Sequence, residues 1–125
     1  MMIVKMTNKD DDFYSYMGRF FGSRIVQTET KDRIYDDNNK IWYIYLDKNE
    51  RACAFISVHN DVIKNVYSSN DNYLKELILE IKKDFVIKES IVTNIYQNVY
   101  LDCGLQIILL DNYKHFIMIR GENNG

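Results

Sequence analysis

Short, nearly continuous apolar runs separated by polar turns dominate the hydrophobic pattern of this chain. Residues 41–46 (IWYIYL), 51–59 (RACAFISVH) and 62–67 (VIKNVY) are rich in β-branched and aromatic side chains, which favours strands. The polar segments DKNE and ND separate these three runs and are typical of tight turns. The pattern therefore predicts an antiparallel meander of three strands in the middle of the chain.

Two stretches carry their apolar residues at helical spacing instead. The clearer one follows the third strand, and its apolar face consists of Leu74, Leu77, Ile78, Ile81 and Phe85. Asn70, Asp71 or Asn72 can cap its start, because short polar side chains accept hydrogen bonds from the free N–H groups there. This stretch predicts a helix with one buried and one solvated face.

The other helical stretch lies near the N-terminus. After a short apolar run at residues 2–6, which predicts a strand, an acidic segment at 8–12 suits the start of a helix. A helix over residues 13–24 is predicted from the spacing of Phe13, Tyr16, Met17, Phe20, Phe21 and Arg24. A short second helix is predicted over residues 30–35.

The C-terminal part alternates strand and helix signals. Residues 89–96, with IVTNIY at their centre, predict a strand, and residues 98–103 predict a helical turn that Gly104 ends. Residues 105–110 and 115–120 predict a final hairpin joined by the turn DNYK. The resulting order, β-α-(α)-β-β-β-α-β-α-β-β, predicts an α/β (α+β) fold: a mixed, mostly antiparallel sheet of about six or seven strands with helices on both faces. We expect a single domain over residues 1–121 and a frayed tail over 122–125.

Composition narrows the class of protein. The chain has 125 residues, 46% hydrophobic and 27% charged, which is a globular balance that suits one domain. Lys and Arg total 16 against 18 Asp and Glu, a net charge of −2, which argues against broad nucleic-acid binding but leaves room for a local basic patch. No apolar run is long enough to cross a membrane.

The two cysteines and the N-terminus point to a cellular compartment. Cys53 and Cys103 form no CxxC pair, and the first residues lack the apolar core of a signal peptide. We therefore expect a cytoplasmic protein with reduced thiols. A metal site would need the scattered Cys and His residues to converge by folding, so no metal is expected.

Residues 100–105, YLDCGL, resemble the Y-E-K-L-G-F segment of the GCN5-related N-acetyltransferase (GNAT) family, with Tyr100, Gly104 and Leu105 at matching offsets. The terminal DNYKHFIMIR is similar to the closing strand of that family, and the order of elements agrees from about residue 2 to residue 120. The resemblance implies an acyl-CoA-dependent N-acyltransferase that acts on an amine of a small molecule or protein.

The resemblance also implies a site. Acetyl-CoA would lie between strand 62–67 and strand 91–96, where a backbone N–H of the first strand polarises the thioester carbonyl. Tyr100 matches the family tyrosine that protonates the departing thiolate, and an unperturbed tyrosine pKa of about 10 suits that role. The cofactor contacts implied are Val66, Tyr67, Ser68, Ser69, Asn70 and Asn94.

One loop departs from the family pattern. The family holds the pyrophosphate with the N–H groups of a glycine-rich loop, whereas residues 68–72 read SSNDN, with no glycine and a negative Asp71. The alternative hypothesis is therefore a non-catalytic domain that lost the cofactor loop and binds a protein or small ligand. A third is an unrelated α+β binding domain with the same order of elements. On either alternative, residues 68–72 form an ordinary helix cap.

The candidate catalytic residues have structural interpretations as well. Tyr100 can be an aromatic residue that packs under the final hairpin. His59 ends a strand with Asp61 nearby in sequence, and is either a general base near physiological pH or a solvated turn residue. The aromatic cluster of Trp42, Tyr43 and Tyr45 fits the core of a central strand better than a substrate groove. An exposed edge strand could also support a homodimer.

Overall fold

The computed structural model describes residues 2–112 and 114–122, which form seven β-strands, four α-helices and one 3₁₀ turn. In chain order they are β1 (Met2–Met6), α1 (Phe13–Met17), α2 (Arg24–Thr30), β2 (Ile41–Leu46), β3 (Ala52–His59), β4 (Val62–Ser68), α3 (Asp71–Asp84), β5 (Ser90–Thr93), the 3₁₀ turn (Asn94–Tyr96), α4 (Gln97–Asp102), β6 (Gln106–Leu109) and β7 (Phe116–Arg120).

The strands form two hydrogen-bonded sheets that meet side by side. β1-β2-β3-β4 is an antiparallel sheet in that order, and β5-β7-β6 is a second antiparallel sheet with β7 in its centre. β4 and β5 are neighbours across the junction, joined by the crossover helix α3. The predicted fold class is confirmed, with seven strands and helices on both faces.

Two hydrophobic clusters fill the two faces. α3 packs on β2, β3 and β4 through Leu74, Leu77, Ile78 and Ile81, all fully buried, and this cluster continues to Tyr96 and Tyr100. The opposite face is aromatic: Phe13 of α1 packs on Trp42, and Phe20, between α1 and α2, packs on Phe55. The alternation of side chains along β2 explains the division: Tyr43 and Tyr45 face α3, and Trp42 and Ile44 face the aromatic cluster.

The meander and α3 are confirmed as predicted. The turn between β3 and β4 has Asn60 and Asp61 at φ of 51° and 66°, the left-handed pair that a two-residue hairpin turn needs. Asn70 caps α3 by accepting a hydrogen bond from the backbone N–H of Asn72.

The last helical turn and the final hairpin are confirmed as well. α4 is followed by Gly104 at φ of 79°, and β6 pairs with β7 as the predicted hairpin. Of that hairpin turn, Tyr113 lies outside the described residues, and so do residues 123–125 of the predicted tail.

The prediction for the N-terminal helices is wrong. α1 ends at Met17 instead of continuing to residue 24, and Gly22 adopts a left-handed φ of 75° that breaks the helical path. Ser23 then caps a new helix, α2, by accepting a hydrogen bond from the backbone N–H of Val26. α2 ends where Lys31 turns left-handed at φ of 60°, so the second helix covers residues 24–30 rather than 30–35.

The predicted strand 89–96 is too long. β5 ends at Thr93, and the chain then tightens into the 3₁₀ turn. At this point the backbone N–H of Asn94 donates to His115 O (2.9 Å) and its side-chain amide donates to Lys114 O (3.2 Å). Those bonds anchor the end of β5 to the residues before β7.

Candidate functional site

The candidate site is the junction of β4 and β5. Hydrogen bonds link the two strands where each of them begins. The backbone N–H of Lys88 donates to Asp61 O (2.9 Å), and the N–H of Ile63 donates to Ser90 Oγ (2.8 Å). Ser90 Oγ in turn donates to Lys88 O (2.7 Å). The two strands therefore start side by side in the same direction, held together by backbone and serine groups.

β4 and β5 belong to different sheets, and the space between residues 66–68 and residues 93–96 is called the splay below. Because backbone N–H groups alternate between the two edges of a strand, Val66 and Ser68 present theirs to the same edge. A backbone group on this edge needs a partner, since it no longer faces a neighbouring strand.

Tyr96 closes the splay. Its hydroxyl accepts from the backbone N–H of Ser68 (2.9 Å) and lies 3.3 Å from Ser68 O, to which it can donate. A phenol can act as donor and acceptor at once, so one side chain satisfies both backbone groups of Ser68. Burial raises the pKa of Tyr96 to about 12, which keeps the hydroxyl proton in place at neutral pH.

Side chains of the loop cap two of the N–H groups at the start of α3. Asn70 Oδ1 accepts from the N–H of Asn72 (2.8 Å), and Ser68 Oγ accepts from the N–H of Asn70 (3.2 Å) and donates to Asn70 O (2.5 Å). The N–H of Ser69 is bonded to Cys53 O (3.1 Å). Asp71 adds an acidic group in the first turn. Of the predicted cofactor contacts, Ser68, Ser69 and Asn70 are therefore all engaged within the loop.

Tyr100 lies on α4 with no exposed surface, inside the cluster under α3. Its hydroxyl has no hydrogen-bond partner among residues 2–112 and 114–122, and neither has the buried hydroxyl of Thr93. Burial raises the pKa of Tyr100 well above its usual value, and the neighbouring Tyr96 and Asp32 raise it further. Tyr100 and Tyr96 belong to the same buried cluster.

His59 lies away from the splay, and Asn94, although it lies within residues 93–96, bonds to the residues before β7. His59 pairs with Val62 at the beginning of β4, six residues and about 20 Å along the strand from Ser68. Its Nδ1 lies 2.6 Å from Asn39 O and its Nε2 lies 3.2 Å from the side-chain amide of Asn60. Asn94 is occupied in anchoring β7. The structure therefore does not bring His59 to the splay.

A buried polar network next to the splay was not predicted. Asn65, on β4 beside Val66, accepts from Lys40 Nζ (3.0 Å) and Ser57 Oγ (2.7 Å), and its amide donates to Asp32 Oδ2 (3.1 Å). Burial raises the pKa of Asp32, although the bond from Asn65 and the charge of Lys40 act in the opposite direction. The network ties the segment after α2 to β4, and the nearest sequence signal was only a polar stretch before β2.

The described residues contain neither a metal-ligating cluster nor a membrane-spanning helix. Within residues 2–112 and 114–122, no group of three or more His, Cys, Asp or Glu side chains could hold a metal ion. Over the same residues, no helix is both long enough and apolar enough to cross a membrane.

Comparison with known proteins identifies the fold. The structure is similar to that of an acetyltransferase of the GNAT family from Staphylococcus aureus Mu50, with a TM-score of 0.54 over 96% of this chain and 99% of that one. The two sequences are 11% identical, so the likeness concerns the fold alone. Neither a protein-family model nor a curated protein matches the sequence. The chain has a GNAT-like fold, as the resemblance of residues 100–105 implied.

Proposed function

We propose that this GNAT-like domain acts by binding a ligand and not by acyl transfer, because its own side chains occupy the place of the acyl-CoA arm. The observation that carries the proposal is the Tyr96 hydroxyl, bonded to the N–H of Ser68 (2.9 Å) and 3.3 Å from its carbonyl oxygen. This is the alternative that the glycine-free loop at residues 68–72 had raised.

The thioester arm of acetyl-CoA would need the edge of β4 that Tyr96 now holds. In the family pattern the arm lies between β4 and β5, and a backbone N–H of β4 polarises the thioester carbonyl. Here both backbone groups of Ser68 contact the Tyr96 hydroxyl. Tyr96 is buried in the cluster under α3. The residues present do not fit the arm unless Tyr96 leaves this position.

The phosphates would meet an equally unsuitable loop. A helix start binds an anion through free N–H groups, yet the N–H of Asn70 and the N–H of Asn72 are already capped by side chains. Asp71 adds a negative charge in the same turn, which repels phosphate. Both features favour an ordinary helix cap over a pyrophosphate cradle.

The catalytic acid is also out of reach. Tyr100 would have to donate its proton to a departing thiolate, but its side chain has no exposed surface. Its raised pKa makes it a weaker acid than a free tyrosine. Tyr100 therefore fits an aromatic packing role under the final hairpin better than a role in proton transfer.

Calorimetric titration with S-acetylpantetheine and with acetyl-CoA tests the proposal. S-acetylpantetheine carries the thioester arm without phosphates, so it reports on the splay alone. We expect no saturable binding of S-acetylpantetheine at millimolar concentration, and no transfer of acetyl from acetyl-CoA to a panel of amines. Micromolar binding of the uncharged arm, or acetylation of any amine that requires this protein, would contradict the proposal.

A further inference from the structure

A second concave surface lies outside the splay, between α2 and the residues that lead into β7. This groove has a volume of about 600 Å³ and is lined by Arg24, Gln27, Thr28, Lys31 and His115. The size falls within the usual range of small-molecule sites, roughly 300 to 1,000 Å³. It is called the α2 groove below.

The α2 groove is basic in a chain whose net charge is −2. No acidic residue lines it, and its two fixed cations, Arg24 and Lys31, form no ion pair or side-chain hydrogen bond with any residue of the described chain. By contrast, Lys5, Lys40, Lys75, Lys83 and Arg120 each lie within 3.3 Å of a carboxylate. Arg24 and Lys31 are thus two cations without an ion pair that share one groove.

Helical geometry places the lining residues of α2 on one stripe. Arg24, Gln27 and Thr28 follow the spacing of a single helix face, and Lys31 follows directly as the C-cap. The two cations and the polar side chains of Gln27 and Thr28 therefore line the same space. Glu29 lies on another face, where its charge raises the pKa values of Tyr67 and Tyr96. The only acidic residue of α2 therefore does not neutralise the groove.

Both walls of the α2 groove are held in place. On one side, Thr30 is fully buried, and its hydroxyl donates to Val26 O (2.8 Å) and accepts from the N–H of Asp32 (3.2 Å). On the other side, Asn94 fixes the backbone of Lys114 and His115. A ligand would meet a surface whose backbone needs little ordering, which reduces the entropic cost of binding.

We propose that the α2 groove binds a small anionic molecule through its phosphate or carboxylate groups. Arg24 supplies the planar fork of donors that suits either group, Lys31 supplies a second charge, and Gln27 and Thr28 supply neutral donors. The inference rests on the proposed binding function and names the class of ligand for it. A molecule with two negative charges matches the two fixed cations.

Titration with inorganic pyrophosphate and, separately, with citrate at constant ionic strength tests this site in the full chain. The double variant Arg24→Gln, Lys31→Gln should bind at least about tenfold more weakly than wild type, because it removes both fixed charges that would face the anion. The matched control, Lys9→Gln with Lys48→Gln, removes the same charge from two exposed positions and should change affinity less than about twofold.

The two probes separate the sources of the anion. Saturable binding of pyrophosphate alone supports a phosphorylated ligand, and binding of citrate alone supports a polycarboxylate. The proposal is overturned if neither probe binds at millimolar concentration, if both double variants lose affinity equally, or if a single-stranded oligonucleotide binds the groove more tightly than either probe. Because S-acetylpantetheine has no phosphate, failure of the α2 groove and failure of the closed splay give different results.

Discussion

The two ends of the β4–β5 junction are closed in different ways. At the beginning, the backbone of Lys88 reaches Asp61, and Ser90 bonds to the N–H of Ile63. At the far end, Tyr96 and not a strand satisfies the edge of β4: its hydroxyl accepts from the N–H of Ser68 and lies within hydrogen-bond distance of the carbonyl oxygen of Ser68. At one end the two strands are linked by a backbone hydrogen bond and by Ser90. At the other end the Tyr96 side chain takes the place of a neighbouring strand.

The difference shows what a parted pair of strands requires. Unpaired buried backbone groups cost about 1–3 kcal/mol each, so the edge of β4 must be satisfied by a ligand, a water or the protein itself. In this chain the protein does so with a side chain that reaches back from the 3₁₀ turn. Because Tyr96 already satisfies the edge of β4, a ligand must displace Tyr96 before it binds there.

The largest expected effect tests whether Tyr96 is a structural part of the molecule. Tyr96→Ala removes a buried ring and leaves both backbone groups of Ser68 without a partner, so it should lower the free energy of unfolding by about 3–5 kcal/mol. Urea denaturation followed by circular dichroism measures the change. If Tyr96 only rests in an otherwise stable cleft, the loss will be far smaller.

Ile95→Ala is the matched control for that variant. Ile95 precedes Tyr96 in the same 3₁₀ turn, but its side chain is 48% exposed. We expect a loss below about 1 kcal/mol, because little apolar surface is uncovered. Equal losses at the two positions would mean that the turn itself, rather than the tyrosine, determines stability.

The other end of the junction is tested with Ser90→Ala. Ser90 is buried, and its hydroxyl serves the N–H of Ile63 and the carbonyl of Lys88 together. Its removal should cost about 1–3 kcal/mol of unfolding free energy, less than Tyr96→Ala because no ring is lost. Ser69→Ala provides the comparison, since Ser69 is exposed and its bond to Cys53 uses only the backbone N–H. A neutral Ser90→Ala would show that the strands hold this end without the serine.

The sequence predicted the elements whose signals are local and agree with each other. The β2–β3–β4 meander had apolar runs and an Asn-Asp turn, and α3 had both a clear apolar face and a cap. The prediction failed where single residues change the path of the chain although the apolar spacing continues. The apolar spacing continues across Gly22, yet its left-handed φ and the cap at Ser23 divide the helix. β5 ends at Thr93, where the next residue, Asn94, bonds to Lys114 and His115, and no local pattern contains such distant contacts.

The candidate site was predictable only in part, for a related reason. The helical turn predicted over residues 98–103 places Tyr100 on α4, but the complete burial of Tyr100 depends on packing under α3. The closing role of Tyr96 depends on where β5 stops, and the strand prediction ran through that point. The link from Lys40 through Asn65 to Asp32 joins three distant segments, and nothing in their spacing marks it.

The smallest expected effect compares two neighbouring tyrosines through the same substitution. Tyr96 and Tyr100 are both buried, one helical turn apart in the chain, yet only the hydroxyl of Tyr96 has a partner within the described residues. Tyr96→Phe should lower the free energy of unfolding by about 1–3 kcal/mol, because the N–H of Ser68 loses its acceptor. Tyr100→Phe should raise it by about 1 kcal/mol, since it removes a buried hydroxyl that gains no bond on folding.

Opposite signs for these two variants would locate the closing contact at a single oxygen atom, because both substitutions leave the ring and the apolar packing unchanged. A stabilised Tyr100→Phe protein would show that the hydroxyl of Tyr100 does not contribute to the stability of the fold. A destabilised Tyr100→Phe protein would instead mean that the hydroxyl has a bonding partner in solution, such as a water inside the splay, and that the closure there involves more than Tyr96.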